Sequence, residues 1–383
     1  MPTTNQFTLL RYLGLTLASA LLLRFGLLPL LSPALHPAMG TALAVVIIVA
    51  GAAYPLTRAA ETIEAATDHL SSKTGLAAGL LQSVGTAFPD MVLGVTAAII
   101  SLSLLESDPT KAISFALIAA STTFGSNIYN IGHAIWCIHR QNRSDTLGRP
   151  LLMFPGLGQL GTVRPLAGHR RLPRQGELDT AIRVLTTLSI LTAAVALCMV
   201  LFGHVGNNLY TLIRPAGGLL LAAAVYTLYH FRQGESSPEA SEAGRLTPLA
   251  HLSSFWLWLS LAVAGTSIAF SAEAMVRALD YGASLIMLPP TVAGTLAGVI
   301  GCLGEILVVH NYTIHQNGRI ADAVVGVAMD NIVTISGAAV VAILGGIYLG
   351  TSALIILFLV ILALNTLLVS EISTMKTTLS KIS

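Results

Sequence analysis

The chain has 383 residues, of which 54% are hydrophobic and only 10% are charged, with a formal net charge of +2. Soluble domains contain about 25% charged residues, so this composition excludes an ordinary soluble protein and indicates a membrane protein with many spanning segments. The small net charge says little, because orientation in a membrane depends on where Lys and Arg lie.

Long apolar segments follow one another along the chain. A transmembrane helix needs about 20 mostly apolar residues. The first such segment contains Arg24 and exceeds the apolar region of a signal peptide, about 7–15 residues, so we interpret it as a retained helix. The sequence therefore predicts an all-α, polytopic membrane protein with about ten transmembrane helices. The predicted spans are 7–31, 40–61, 76–105, 111–138, 180–202, 209–231, 252–279, 283–310, 320–347 and 350–371.

The third span carries an unusual polar stretch, SVGTAFPDMVLG, in which Pro89 and Asp90 are adjacent. Proline removes a helix hydrogen bond, so we expect a kink with free carbonyls near Gly85 and Thr86. Free carbonyls at membrane depth are tolerated where they line a cavity. A carboxylate at that depth indicates a binding site or a pathway.

Two parts of the chain resemble each other. AAGLLQSVGTAFPDMVLG, from Ala77, aligns with VAGTLAGVIGCLGEILVV, from Val292, and places Asp90 on Glu305. YPLTRAAETI aligns upstream with AFSAEAMVRA, and FGSNIYNIG aligns downstream with AMDNIVTIS. Each half therefore has a helix, a carboxylate helix and an Asn-bearing helix, in that order. Around Glu305, Gly301 and Gly304 are expected to loosen the backbone.

Arginine is concentrated in one loop, residues 139–179, which the enrichment of Lys and Arg in cytoplasmic loops predicts to be cytoplasmic. Counting spans outward then places both termini in the cytoplasm and gives the two carboxylate helices opposite directions. Inverted repeats with a site at the membrane midplane are typical of secondary transporters. We expect a plasma (inner) membrane location.

The predicted organisation follows the spans and the repeat. It comprises an extra N-terminal helix (1–39), the first repeat core (40–138), the cytoplasmic Arg-rich loop (139–179), two helices completing the first repeat (180–231), a cytoplasmic linker (232–251), the second repeat core (252–347), and the last helix with a cytoplasmic tail (348–383).

The motifs resemble those of a known family. GTAFPD resembles the Gly-Thr-Ser-x-Pro-Glu signature of the sodium/calcium exchangers, in the calcium/cation antiporter superfamily, and FGSNIYNIG resembles the Gly-Ser-Asn-x-x-Asn signature of that family. The resemblance covers about 40–140 and 252–347. It implies two five-helix repeats and alternating access. Here the second repeat lacks one helix, and span 7–31 is a candidate for the vacant place.

The resemblance also implies a set of cation ligands. Its core is the carboxylate pair Asp90 and Glu305, with Asn130 and the position of Thr334. Many sodium-coupled exchangers have an aspartate at the Thr334 position, whereas here the carboxylate is Asp330, one turn earlier on the same helix face. The full predicted ligand set is Asp90, Glu305, Asp330, Asn130, Asn127, Asn331, Thr86, Ser83 and Thr334.

The resemblance implies the exchange of Ca²⁺, or a similar cation, against Na⁺, and the oxygen ligands suit such hard cations. Ca²⁺/H⁺ or Na⁺/H⁺ exchange remains an alternative. A channel with selectivity carboxylates and an intramembrane aspartyl protease using Asp90 and Asp330 are remote ones. We expect inorganic cations as substrates and the lipid bilayer as surroundings, with no enzymatic activity, no cofactor and no nucleic acid. The three cysteines, Cys137, Cys198 and Cys302, show no metal-ligand spacing and are interpreted as small buried side chains.

Overall fold

The computed structural model describes residues 4–31, 38–74, 78–168, 172–205, 209–231, 253–314, 320–345, 347–350 and 352–382. Nearly all of this is helix, which confirms the predicted all-α fold. The first helix is continued by a π-helical turn, Leu22–Leu27, and a 3-10 turn, Leu28–Leu31. The helices are α1 Thr4–Leu21, α2 Ala38–Thr74, α3 Ala78–Leu104, α4 Pro109–Leu147, α5 Gln175–Phe202, α6 Arg214–Phe231, α7 Ser254–Leu285, α8 Pro290–Gly301, α9 Leu303–Ile314, α10 Ile320–Gly345 and α11 Ser352–Ile382.

The helices coincide with the ten predicted spans when α8 and α9 are counted as one broken segment. Seven spans in the described part of the chain are long and apolar enough to cross a membrane, and the α8–α9 pair would make eight. The other two helices are less apolar. α4 carries a run of buried polar residues between Ser121 and Asn130, and α6 begins with Arg214. The polarity of α4 places it inside the bundle, away from lipid.

The two halves, α2–α6 and α7–α11, pack with a two-fold relation. α2 contacts α7, its own equivalent. α4 packs against α8 just as α10 packs against α3, and α4 meets α11 just as α10 meets α5. Counting the broken pair once, equivalent segments are separated by an odd number of crossings. They therefore run through the membrane in opposite directions, as predicted for inverted repeats.

α1 is joined to both halves by polar contacts. The Tyr12 hydroxyl donates to Oε2 of Glu61 on α2 at 2.9 Å, and Arg24, in the π-helical turn, pairs with Glu273 of α7 at 2.6 Å. In the first half, the last helix, α6, packs against α10. Its equivalent in the second half would therefore pack against α4, whereas the main neighbours of α1 are α2 and α7. α1 does not take the place of the missing helix.

The Arg-rich loop is shorter than its predicted range and is folded against α4. α4 continues to Leu147, and the two-stranded pairing of β1 (Leu151–Leu152) with β2 (Thr162–Val163) follows. Side chains of α4 hold the loop backbone. Trp136 donates to the Met153 carbonyl at 3.1 Å, and Gln141 donates to the Arg164 carbonyl at 2.8 Å. Attachment to α4, and not internal periodicity, therefore gives this loop its shape.

A small antiparallel sheet joins the connection between α5 and α6 to the connection between α10 and α11. Its strands are β3 (His204–Val205), β4 (Leu209–Leu212) and β5 (Ile347–Gly350), in the order β3-β4-β5. The predicted helical spans 209–231 and 320–347 included β4 and the first residue of β5, so those boundaries were wrong. Sheet pairing satisfies backbone groups where the helices end.

Candidate cation site

α3 remains one helix through Pro89. Because proline has no amide hydrogen, the Gly85 carbonyl lacks the donor that would normally lie one turn later. The local effect is therefore a missing hydrogen bond within a helix that continues on both sides. The next residue, Asp90, is fully buried, with an exposed fraction of 0%.

The equivalent segment of the second half is interrupted. α8 ends at Gly301 and α9 begins at Leu303, and the two axes differ by 52°. Glu305 lies in the first turn of α9 and is 2% exposed. The amino-terminal end of a helix favours negative charge, so the break places this carboxylate where the backbone stabilises it. The expectation that glycine loosens the backbone here agrees with the position of the break.

The carboxylates of the two halves meet. Asn130 of α4 donates from Nδ2 to Oε2 of Glu305. Asp90 of α3 and Asp330 of α10 both act electrostatically on Glu305, and Cys302, at the break, is close to Asp90 and Glu305. Four helices, α3, α4, α9 and α10, therefore contribute to one cluster, which we call the carboxylate site.

Glycines allow the close approach that forms this site. A Cβ at Gly301 would overlap the Asp90 carboxylate, with its Cγ only 2.8 Å away. A Cβ at Gly298 would lie 2.9 Å from the Thr122 carbonyl of α4. Gly294 is similarly tight, so α8 is pressed against α4 along one glycine face, as small residues permit in membrane proteins.

The two Asn-bearing helices present matched positions, with one difference in charge. The repeat alignment sets Asn127 of α4 on Asn331 of α10, both fully buried. It also sets Ser126 on Asp330. The Ser126 hydroxyl lies beside Asp90 but donates to the Thr123 carbonyl at 3.0 Å, whereas Asp330 is near enough to Glu305 to act on it electrostatically. The third carboxylate therefore belongs to the second half alone.

Many polar atoms of this region have no hydrogen-bond partner among the described residues. A buried polar group without a partner is costly, and a cluster of them indicates a ligand. Most are oxygens, the ligand type of hard cations. The atoms are both carboxylate oxygens of Asp90, Oε1 of Glu305, Oδ1 of Asn130, Oγ1 of Thr122, and both amide atoms of Asn127 and Asn331.

The structure brings together the predicted ligands Asp90, Glu305, Asp330 and Asn130. Asn127, Asn331 and Thr334 lie buried on the same two central helices. The Thr334 hydroxyl donates to the Asp330 carbonyl at 2.8 Å, which leaves its lone pairs available. The side chains of Ser83 and Thr86 are outside the described part of the structure.

Sequence analysis missed two neighbours of the site. Ser126 is indicated only by its alignment with Asp330. Cys302 was interpreted as a small buried side chain, and nothing in its sequence context places it beside two acids. Both become visible only when α3, α4 and α9 are packed together.

Comparison with known proteins agrees with this architecture. No family model matches the chain, and no curated protein matches it. Among solved structures, the H⁺/Ca²⁺ exchanger CAX has a TM-score of 0.63 at 15% identity, covering 94% of this chain and 80% of CAX. YfkE has a TM-score of 0.51 at 13% identity, covering 97% and 98%. The sodium-calcium exchanger NCX_Mj has a TM-score of 0.43 at 15% identity, covering 86% and 89%.

The fold and the apolar helices define a polytopic membrane protein with a buried cluster of acids between its two halves. More particularly, the chain shares the fold of the H⁺/Ca²⁺ exchanger CAX and of YfkE, so the predicted resemblance is confirmed at the level of fold.

Proposed function

We propose that this protein is a secondary antiporter that exchanges Ca²⁺, or a similar hard divalent cation, against Na⁺ by alternating access. The observation that carries the proposal is the carboxylate site itself. Acids from both halves of the molecule meet there beside unpartnered amide oxygens.

The charge balance of the site supports a cation as substrate. No Lys or Arg of the described residues pairs with Asp90 or Glu305. Burying unpaired carboxylates is expensive, so cations or protons must compensate them. A divalent ion would neutralise the two carboxylates Asp90 and Glu305, and two Na⁺ ions, or two protons, would do the same. Cation and counter-cation can thus occupy one site in turn.

The two-fold packing supports alternating access. Each half contributes one acid at a weakened helix position, Asp90 after Pro89 and Glu305 after Gly301. Transporters with inverted repeats open to either side by rocking one part of the molecule against the other around a central site. A site built from both repeats would change its accessibility as they move.

The coupling ion is tested by transport. Proteoliposomes containing the protein are loaded with Ca²⁺, and efflux is measured after imposing a Na⁺ gradient or a pH gradient separately. We expect saturable efflux that requires Na⁺. Efflux driven only by the pH gradient would replace Na⁺ by H⁺ as the coupling ion. Efflux that needs neither ion would indicate a channel and contradict the proposal.

A matched variant controls for nonspecific loss. Asp280→Asn changes a membrane-helix carboxylate whose partner is Ser114, at 2.8 Å, outside the carboxylate site. Because asparagine keeps an oxygen that accepts this hydrogen bond, Asp280→Asn should transport like the natural protein. Its failure would show that any acid-to-amide change in this bundle impairs transport.

We further propose that the Arg-rich loop and both termini face the cytoplasm of a cell with the protein in its plasma membrane. Arg140, Arg143, Arg149, Arg164 and Arg174 support this through the bias of Lys and Arg. A cysteine introduced at the exposed loop position Gln159 should resist an impermeant thiol reagent in intact cells and react after permeabilisation. Ready labelling in intact cells would reverse the orientation.

A further inference from the structure

A second cluster of ligand atoms lies outside the carboxylate site. His133 and Cys137 are one turn apart on α4, and His310 faces them from α9. One ligand atom from each lies within 4.8 Å of the other two. Cys137 Sγ lies 3.4 Å from His133 Nε2. His310 lies 177 positions from His133 and 173 from Cys137 in the sequence. The packing of α4 against α9 thus brings the three side chains close enough to share one ion.

We propose that His133, Cys137 and His310 form a binding site for a transition metal ion of the Zn²⁺ class. A thiolate and two imidazoles are the ligands that Zn²⁺ prefers, whereas Ca²⁺ takes oxygen ligands. Tetrahedral Zn²⁺ with bonds of about 2.0–2.3 Å holds its ligand atoms about 3.3–3.8 Å apart. The cluster meets that spacing with small side-chain movements.

The surroundings orient the ligands as metal sites require. His310 Nε2 lies 2.8 Å from the Leu160 carbonyl. A neutral imidazole that donates there keeps its lone pair on Nδ1, and such a second bond to a backbone carbonyl is usual for metal-binding histidines. Phe154 stacks on both imidazoles, with ring centroids 6.3 and 6.0 Å away. The Arg-rich loop thus supports the cluster from one side.

The three ligands of the proposed site differ in their exposure to solvent. Cys137 is fully buried, and the two histidines are half-buried. Three protein ligands leave the fourth position to water, as in open zinc sites. Binding would replace the Cys137 S–H bond by a sulfur–metal bond and release that proton to solvent, so affinity should increase with pH.

The site would act on transport through the helices it joins. α4 carries Asn130 and α9 carries Glu305, the hydrogen-bonded pair of the carboxylate site. A metal ion bridging His133 and Cys137 to His310 would hold these helices together, five residues beyond Glu305. If the proposed antiport is right, this bridge should oppose the movement of one repeat against the other and inhibit exchange.

The binding test uses Co²⁺ as a spectroscopic probe on the purified full-length protein. Cobalt bound to a thiolate gives a near-ultraviolet charge-transfer band and visible bands. We expect these bands in the natural protein, loss of the charge-transfer band in Cys137→Ser, and at least tenfold weaker Co²⁺ binding in His310→Gln. Cys198→Ser, which changes a thiol on α5 outside the cluster, should keep the full spectrum.

Two results would overturn the site: no thiolate band in the natural protein, or the same band in Cys137→Ser. If that variant does not purify as folded protein, unchanged Co²⁺ affinity in His310→Gln is equally decisive. These readouts need no transport, so failure of the antiport proposal does not affect them.

The transport consequence is tested in the proteoliposomes. Added Zn²⁺ should inhibit exchange by the natural protein and by Cys198→Ser, and should need at least tenfold higher concentration in His310→Gln. Equal sensitivity of all three proteins would show that Zn²⁺ inhibits at another place, and would overturn this consequence.

Discussion

The two carboxylate helices occupy equivalent places in the two repeats, but they position their buried acids with different backbone structures. α3 contains a proline and stays one helix, with Asp90 held beside Gly301. α8–α9 has its proline, Pro290, at the start of α8 and none near the break, yet it is interrupted after Gly301, with Glu305 in the first turn of the new helix and bound by Asn130. Breaking a helix therefore depends here on glycine and packing more than on proline.

The two acids also differ in their hydrogen bonding within the site. Within the described part of the chain, neither oxygen of Asp90 has a hydrogen-bond partner, whereas Glu305 has one oxygen bound by an amide and one without a partner. The acid of the second half, Glu305, is held by Asn130 of the first half, and the second half adds Asp330. The acid of the first half, Asp90, has no hydrogen-bond partner among the described residues and is confined by its contact with Gly301 of α8. We expect changes at this contact to have the largest effects.

Gly301→Ala should be the most damaging small substitution. The added methyl group would overlap Asp90 and displace its carboxylate. In enzymes, misplacing a positioned group by about 1 Å costs about 100-fold in rate, and we expect Ca²⁺ affinity to fall by a similar factor. Gly132→Ala on α4, where an added Cβ meets no atom within 4 Å, should bind normally. Equal affinity in the two variants would contradict the close contact.

Asn130→Ala should weaken Ca²⁺ binding by about 10–100-fold. It removes the donor to Glu305 and an unpartnered oxygen, and a hydrogen bond to a charged group contributes about 1.5–3 kcal/mol. The control is Asn142→Ala, which removes a buried amide that donates to Glu371 on α11 at 2.7 Å. Calorimetric titration of the purified variants measures both, and the account fails at this position if Asn142→Ala is the weaker binder.

Asp330→Ser should make the second repeat resemble the first, which has Ser126 at that position. Coulomb energy is proportional to ion charge, so losing one acid penalises Ca²⁺ about twice as much as Na⁺ at equal distance. If Na⁺ affinity falls about tenfold, Ca²⁺ affinity should fall about 100-fold, and the selectivity ratio should change about tenfold. Competition between the two ions measures the ratio. An unchanged ratio would place Asp330 outside the ion's field.

Pro89→Ala should have the smallest effect. Alanine restores an amide hydrogen that can bond to the Gly85 carbonyl and compete with a bound cation. A neutral hydrogen bond is worth about 0.5–1.5 kcal/mol, so Ca²⁺ affinity should fall by about threefold. Pro55→Ala, at the other buried proline inside a described helix, in α2, provides the comparison. No difference between the two variants would exclude a role for the carbonyl.

Much of this fold could be predicted from local sequence. Apolar length located the helical segments, although only seven described helices, or eight spans with the α8–α9 pair, are long and apolar enough to cross a membrane. The alignment of Asp90 with Glu305 gave the repeat. These signals are strong because bilayer thickness fixes helix length and because each repeat must supply its own acid. The polar character of α4 was also visible, although its consequence, a helix removed from lipid, depends on the neighbours that cover it.

Other features depend on contacts between distant segments. The sequence of the Arg-rich loop has no periodicity from which its structure could be predicted. Its backbone is held instead by Trp136 and Gln141 of α4. The His133–Cys137 spacing of four residues was present in the sequence, but its partner His310 comes from the other repeat. The position of α1 is set by Arg24 and Glu273, a pair that sequence spacing does not reveal. The sequence predicted a kink at Pro89 and a loosened backbone around Gly301 and Gly304, and the structure has a continuous α3 and an interruption at Gly301–Leu303.

Equilibrium binding of Ca²⁺ to the purified protein tests the shared carboxylate site most directly. Titrations are made with the natural chain, Asp90→Asn, Glu305→Gln and the control Asp280→Asn, each in the presence and absence of Na⁺. We predict one saturable Ca²⁺ site that Na⁺ competes for, lost in both Asp90→Asn and Glu305→Gln and retained in Asp280→Asn. Normal Ca²⁺ affinity in either Asp90→Asn or Glu305→Gln would contradict a single cation site built from both repeats.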